Sequence, residues 1–164
     1  MSKSFSLAGL RLGWIVGATQ LLDKVRTHRD YNTISVGLIN DHLAAIALEN
    51  SATILARSRS ITRNNLAILD EWVTNEPLIS YIKPQSATLA LLKYDLAIPS
   101  REFCIKLLES KGVLFTPGSA LDMEGYLRIG FANDPEITKT GLAKVSQFLK
   151  ELAIELAQES PRLY

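Results

Sequence analysis

The chain has 164 residues, 47% of them hydrophobic, which suits one compact domain, or a domain with an appendage, around a real apolar core. Its 18 Lys+Arg nearly cancel its 17 Asp+Glu, so no large field of one sign exists to hold a nucleic-acid backbone or an anionic membrane. The single cysteine, Cys104, excludes an internal disulfide and a cysteine-based zinc site, and it fits a reducing, cytoplasmic setting.

The first eighteen residues faintly resemble a signal peptide, but Arg11 splits the apolar run into two pieces too short for one, and no later stretch is long enough to span a bilayer. Residues 10–18, LRLGWIVGA, are a short apolar run with Ile and Val, which predicts a strand buried on both faces. Residues 38–76 contain neither Gly nor Pro, and their apolar positions recur at helical spacing. That pattern predicts one very long helix or two in succession, with Asn50-Ser51 as the place to break or re-cap it.

After Pro77 the elements shorten. Residues 88–94 predict a strand, and Ser100 is an expected N-cap for a helix that Gly112 ends in a left-handed conformation. Residues 113–116 predict a second strand, followed by the turn Pro117-Gly118-Ser119. Residues 126–131 predict a third, in which Leu127, Ile129 and Phe131 face the core while Tyr126, Arg128 and Gly130 face away. Asp134 then caps a last helix with Pro135 in its first turn and Leu142, Val145, Phe148, Leu149 and Leu152 as its buried stripe. No internal repeat is visible, and the region from residue 77 on is expected to be a small α/β unit.

Candidate chemistry concentrates near the start, where Lys3 and Arg11 stand eight apart in S-K-x7-R-x-G with Gly9 and Gly13 around them. A lysine that forms a Schiff base must present a neutral amine, which partial burial and a nearby cation favour, and an arginine fork grips a phosphate at two points. Spacing alone leaves open the alternative that both are solvated surface cations. An outward-facing strand arginine such as Arg128 is likewise often only solvated. His28 and His42 are 14 apart with no carboxylate or thiol at ligand spacing, so no metal is expected, and no G-x-S-x-G stands near a usable histidine. Cys104, among Phe103, Ile105, Leu107 and Leu108, reads as a buried helical residue.

The words of two segments go further than their spacing. SKSFSLAGLRLGW, residues 2–14, and GVLFTPGSALDMEGYLRIGFA, residues 112–132, resemble segments of pyridoxal-phosphate-dependent aminotransferases of the aspartate aminotransferase type (class I/II). The resemblance implies the C-terminal part of that α/β fold: residues 1–34 as the tail of the large cofactor-binding domain, 35–76 as connecting helix or helices, and 77–164 as a small α/β domain. It implies pyridoxal 5'-phosphate as cofactor, Lys3 as the internal-aldimine lysine and proton shuttle, Arg11 as the phosphate ligand and Arg128 as the holder of the substrate α-carboxylate. It also implies amino acid and 2-oxo acid substrates, and it puts Asp30-Tyr31-Asn32-Thr33 near the active site and subunit contact.

The same resemblance shapes the expectations about the chain as a whole. Segments that in the family supply the glycine-rich phosphate turn, the aromatic ring stacked on the cofactor and the aspartate at its pyridine nitrogen have no counterpart here, and Met1 fits an internal position. The chain is therefore expected to be a C-terminal fragment, inactive or nearly so alone, that self-associates as a homodimer, swapped or not, to cover its apolar strand. The alternatives are a lyase on the same fold, a non-catalytic interaction or remnant module, and the cofactor-sensing domain of a transcription regulator.

Overall fold

Asn50 decides the first large feature of the architecture. Its side-chain amide donates to the Ile46 carbonyl at 2.8 Å, competing with the helix ladder, and the helix α2, Leu38–Glu49, stops there before α3, Ser51–Asn75, begins. The predicted long helical region is thus two helices, broken at the expected polar pair. The structure, a computed structural model, describes residues 1–159; residues 160–164 of the expected 77–164 region lie outside the described residues. The chain divides into two units, Met1–Ser60 and Ile61–Tyr164.

In the first unit the chain opens with tight turns: the Ser6 amide donates to the Lys3 carbonyl, and a 3-10 turn spans Ala8–Leu10. The strand expected over residues 10–18 is absent. Residues 11–18 are irregular, with Ile15 and Val16 exposed, because a strand exists only where a neighbour completes its hydrogen bonds and no strand of the described residues pairs with this segment. A helix that the periodicity did not suggest, α1, follows at Thr19–Arg29. It buries no residue and has no side-chain cap at Ala18, and its support is Arg26 and Arg29 in the last turn, where cations complement the helix dipole. Of α2 only Ala44 and Ala47 are buried.

The second unit is two layers. A four-stranded antiparallel sheet has the order β1-β2-β4-β3, from β1 at Ile79–Tyr81, β2 at Leu89–Tyr94, β3 at Thr116–Pro117 and β4 at Tyr126–Gly130. Helices α3, α4 (Ser100–Lys111) and α5 (Pro135–Glu159) cover one face. Leu92, Leu127, Leu69, Phe103, Leu107, Val145 and Leu149 are fully buried between the layers, each such side chain contributing about 1.5–3 kcal/mol relative to exposure. Phe103 sits at the centre, its ring 5.0 Å from Tyr94 and 5.1 Å from Phe148. The expected stripe of α5, Leu142 through Leu152, is buried as read, and Asp134 caps α5 with its carboxylate accepting from the Glu136 amide at 2.9 Å.

Two local expectations shift. The strand expected over 113–116 shrinks to Thr116–Pro117, because only those two residues reach β4; Leu114 is exposed and unpaired. Ser100 is the first residue of α4, not its cap, which is Pro99. The far end is as expected, Gly112 closing α4 in the left-handed region at φ 68°. Cys104 is buried in α4, and that burial first, then the Glu124 charge, pushes its thiol up to about 11. No helix among the described residues is long and apolar enough to cross a membrane.

Candidate functional site

Lys3 and Arg11 both lie in the first unit, at the two ends of its opening run of turns. Lys3 is exposed, and its carbonyl accepts the Ser6 amide at 3.0 Å, closing the turn that carries it. Arg11 sits in the left-handed region at φ 48°, a strained backbone for a residue with a Cβ, and its Nη1 donates to the Ala8 carbonyl at 3.0 Å. That bond folds the guanidinium back over its own turn and leaves its other donors outward. No hydrogen bond joins the side chains of Lys3 and Arg11 among the described residues, and Asn40 ties the segment down by donating to the Leu10 carbonyl at 3.1 Å.

Arg128 belongs to the second unit and points where the alternation said it would. Its neighbours in register are Leu91 on β2 and Thr116 on β3, and the face they share is the one opposite the helices. A groove of about 720 Å³ runs over this face, walled by apolar side chains including Leu89, Leu91 and Met123, and the charged residues that line it, Lys93 and Arg128, are both cations. Arg128 is half-buried, and its Nη2 donates to the Thr116 hydroxyl at 3.0 Å. Among the described residues no carboxylate pairs with it.

Beside this face lies a polar clasp that sequence reading did not find. Glu124 accepts from the Ser100 amide at 2.5 Å and from the Ser100 hydroxyl at 3.0 Å, and that hydroxyl accepts the Ser119 amide at 3.0 Å. A carboxylate from 24 residues away thereby satisfies the start of α4, and the Ser100 amide, more than any other group, holds it below the usual glutamate range. Burial, with the Glu124 charge nearby, raises the Tyr94 phenol to about 12. Gly118 closes the clasp: a Cβ there would lie 1.9 Å from the Met123 carbonyl oxygen. Only Ser100 and the Pro-Gly turn were visible signals, and neither says which acid arrives. Of the remaining candidates, His28 on α1 and His42 on α2 are exposed, as are Asp30, Tyr31, Asn32 and Thr33.

One family model, aminotransferase class I and II, matches residues 1–145, a span that contains Lys3, Arg11 and Arg128. The chain belongs to the class I and II aminotransferases. Among the solved structures, a PLP-dependent aminotransferase from Streptococcus suis is 43% identical at a TM-score of 0.89, over 92% of this chain and 40% of that one. A PLP-dependent cyclase, OrfR, is 31% identical at a TM-score of 0.84, over 92% of this chain and 42% of its own. Among curated relatives, capreomycidine synthase of Streptomyces vinaceus is 29% identical over 91% of this chain and 39% of its length. This aminotransferase-family chain thus spans about two fifths of the relatives it matches, and its mixed α/β architecture is that of the aspartate aminotransferase type of fold.

Proposed function

We propose that this chain carries the lysine, the phosphate arginine and the carboxylate arginine of a PLP-dependent aminotransferase that moves an amino group between an amino acid and a 2-oxo acid. The observation that carries the reading is Arg128: a half-buried guanidinium with a neutral hydroxyl partner, over an apolar groove, has donors and charge unspent. The donor set fits pyridoxal phosphate, since Lys3 offers an exposed primary amine to an aldehyde and Arg11 offers outward N–H groups to a phosphate. When bound, that cofactor supplies a ring that stores the electron pair released at the substrate α-carbon.

The protein's own groups do the rest. Arg128 holds the α-carboxylate at two points, which fixes the substrate in orientation and leaves its α-proton in one place. In the other unit, Lys3 offers Nζ as the group that would move a proton. Arg11 anchors the phosphate with the donors that its Ala8 bond leaves free. By this reading the chain, spanning two fifths of its relatives, contributes part of a site and is weakly active or inactive alone.

The test is covalent trapping. Incubation of the chain with pyridoxal phosphate, borohydride reduction and peptide mass spectrometry are expected to place the label on Lys3, with Arg11→Ala weakening labelling about ten-fold. Label spread over surface lysines as on an unrelated protein would overturn the assignment. A second reading has its own observation, because the matched relatives include the S-alkyl-thiohydroximate lyase SUR1 of Arabidopsis thaliana and the cyclase OrfR. On this second reading the same three residues would serve a lyase or a cyclase, and product analysis of the full active enzyme, new amino acid against cleaved or cyclised product, separates the two.

A further inference from the structure

Thr116 stands directly opposite Arg128 in the sheet register, on the open face, and its hydroxyl accepts the Nη2 hydrogen bond at 3.0 Å. On the other side of Arg128 the register partner is Leu91, which has no polar group. In this row across the sheet, the threonine is the polar tether of the guanidinium. A hydroxyl suits that role, because it engages one N–H and leaves the charge and the remaining donors intact, whereas a carboxylate there would neutralise the charge that a ligand needs.

We propose that Thr116 is a positioning residue that sets the plane of the Arg128 guanidinium so that its free donors face the groove, an inference that rests on reading Arg128 as the carboxylate holder. The surrounding backbone is built to hold that hydroxyl still. Pro117 pairs with Leu127, Gly118 is seated where no side chain fits, and the Ser119 amide is bonded to Ser100, so Thr116 is fixed by the ladder on one side and by the clasp on the other. A β-branched side chain is stiff at χ1, so a fixed backbone fixes the oxygen as well. An unbranched hydroxyl at the same place would keep the bond with less certainty of direction.

The experiment uses the whole chain and reads the guanidinium of Arg128 by NMR during titration with pyruvate. In the wild type, saturable shifts at Arg128 Nε–H and slowed rotation of the Nη groups are expected. Thr116→Val, which keeps the shape and removes the hydroxyl, is expected to weaken pyruvate binding about five-fold and to restore free Nη rotation at an unchanged thermal midpoint. Thr116→Ser is expected to recover both signals in part, between the valine variant and the wild type, and Thr116→Ala stands in for the valine variant if that one fails to fold. Wild-type binding and wild-type rotation in the variants without the hydroxyl would overturn the proposal and leave the carboxylate role of Arg128 standing. Pyruvate that leaves Arg128 unmoved in the wild type, and binds equally to Arg128→Lys, would remove that role and the positioning proposal with it.

Discussion

The two units of the chain solve opposite problems. Residues 61–159 enclose a core in which α3, α4 and α5 meet one sheet face, whereas Met1–Ser60 buries only Phe5, Ala44 and Ala47 among its apolar residues and leaves Val16, Leu38 and Ile39 exposed at 87%, 83% and 74%. The difference teaches that motif and stability reside in different places. The first unit holds the segment with the most recognisable chemistry, Lys3 to Arg11, on turns held mainly by local hydrogen bonds, and the second holds the packed apolar core. The two tryptophans report on the units separately: Trp14 is 56% exposed in the first, and Trp72, half-buried, donates its indole N–H to Ser146 at 2.8 Å in the second. Unfolding followed by fluorescence in Trp14→Phe and Trp72→Phe backgrounds is expected to show a cooperative shift to the red from Trp72, whose folded emission is the bluer of the two, and an already red, readily quenched signal from Trp14 that changes early. Coincident transitions would show that the contrast between the units is not one of stability.

The sharpest way to break the contrast is to empty the core. Phe103→Ala removes a fully buried ring that touches two other rings and is expected to cost about 3–5 kcal/mol, read at Trp72 in urea; a loss below about 1 kcal/mol would contradict the packing described. Gly118→Ala forces a methyl against the Met123 and Tyr126 carbonyls and is expected to cost about 1–3 kcal/mol in the same assay, with disturbed amide signals at Ser100 and Ser119.

Acid probes the clasp. Glu124 has its carboxyl lowered in the fold, so its contribution is present at pH values above the unfolded carboxyl value and is lost as the pH falls through the lower folded one. Stability of the second unit is therefore expected to drop below the usual carboxylate range, and Glu124→Gln is expected to flatten that part of the profile while lowering stability at neutral pH. An unchanged acid limb in the variant would assign it to other carboxylates, Asp70 beside Lys83 first among them. The smallest effect belongs to the first unit: Trp14→Ala is expected to change the midpoint read at Trp72 by less than about 0.5 kcal/mol.

How much of this the residues announced depends on how local each signal is. Asp134-Pro135 starts α5 because cap and first-turn proline act on the next few residues, and Arg128 faces outward because strand alternation needs no knowledge of the rest of the sheet. The Asn50 break is legible for the same reason. By contrast, residues 10–18 carry a strand composition, yet a strand is a relation between segments, and none of the described strands pairs with them. Residues 113–115 fail at the same test, with only Thr116 and Pro117 reaching a partner. Ser100 looked like a cap and is instead a junction, because Glu124 arrives from a distance that no local pattern encodes. The Lys3, Arg11 and Arg128 candidates came from family resemblance rather than from periodicity, whereas Thr116 as the tether of Arg128 needed the register.

Cys104 turns the second unit into its own clock. An alkylating reagent attacks only a thiolate it can reach, and this thiol is both enclosed by α4 and its neighbours and held protonated well into the alkaline range. Each labelling event therefore records one excursion in which the packed layers parted far enough to admit the reagent. With one cysteine in the whole chain, the count needs no engineering: the labelling rate of intact protein by mass spectrometry, set against that of the unfolded chain, gives the open population of the core where reclosing outruns alkylation, and the opening rate where excess reagent makes the labelling independent of its concentration.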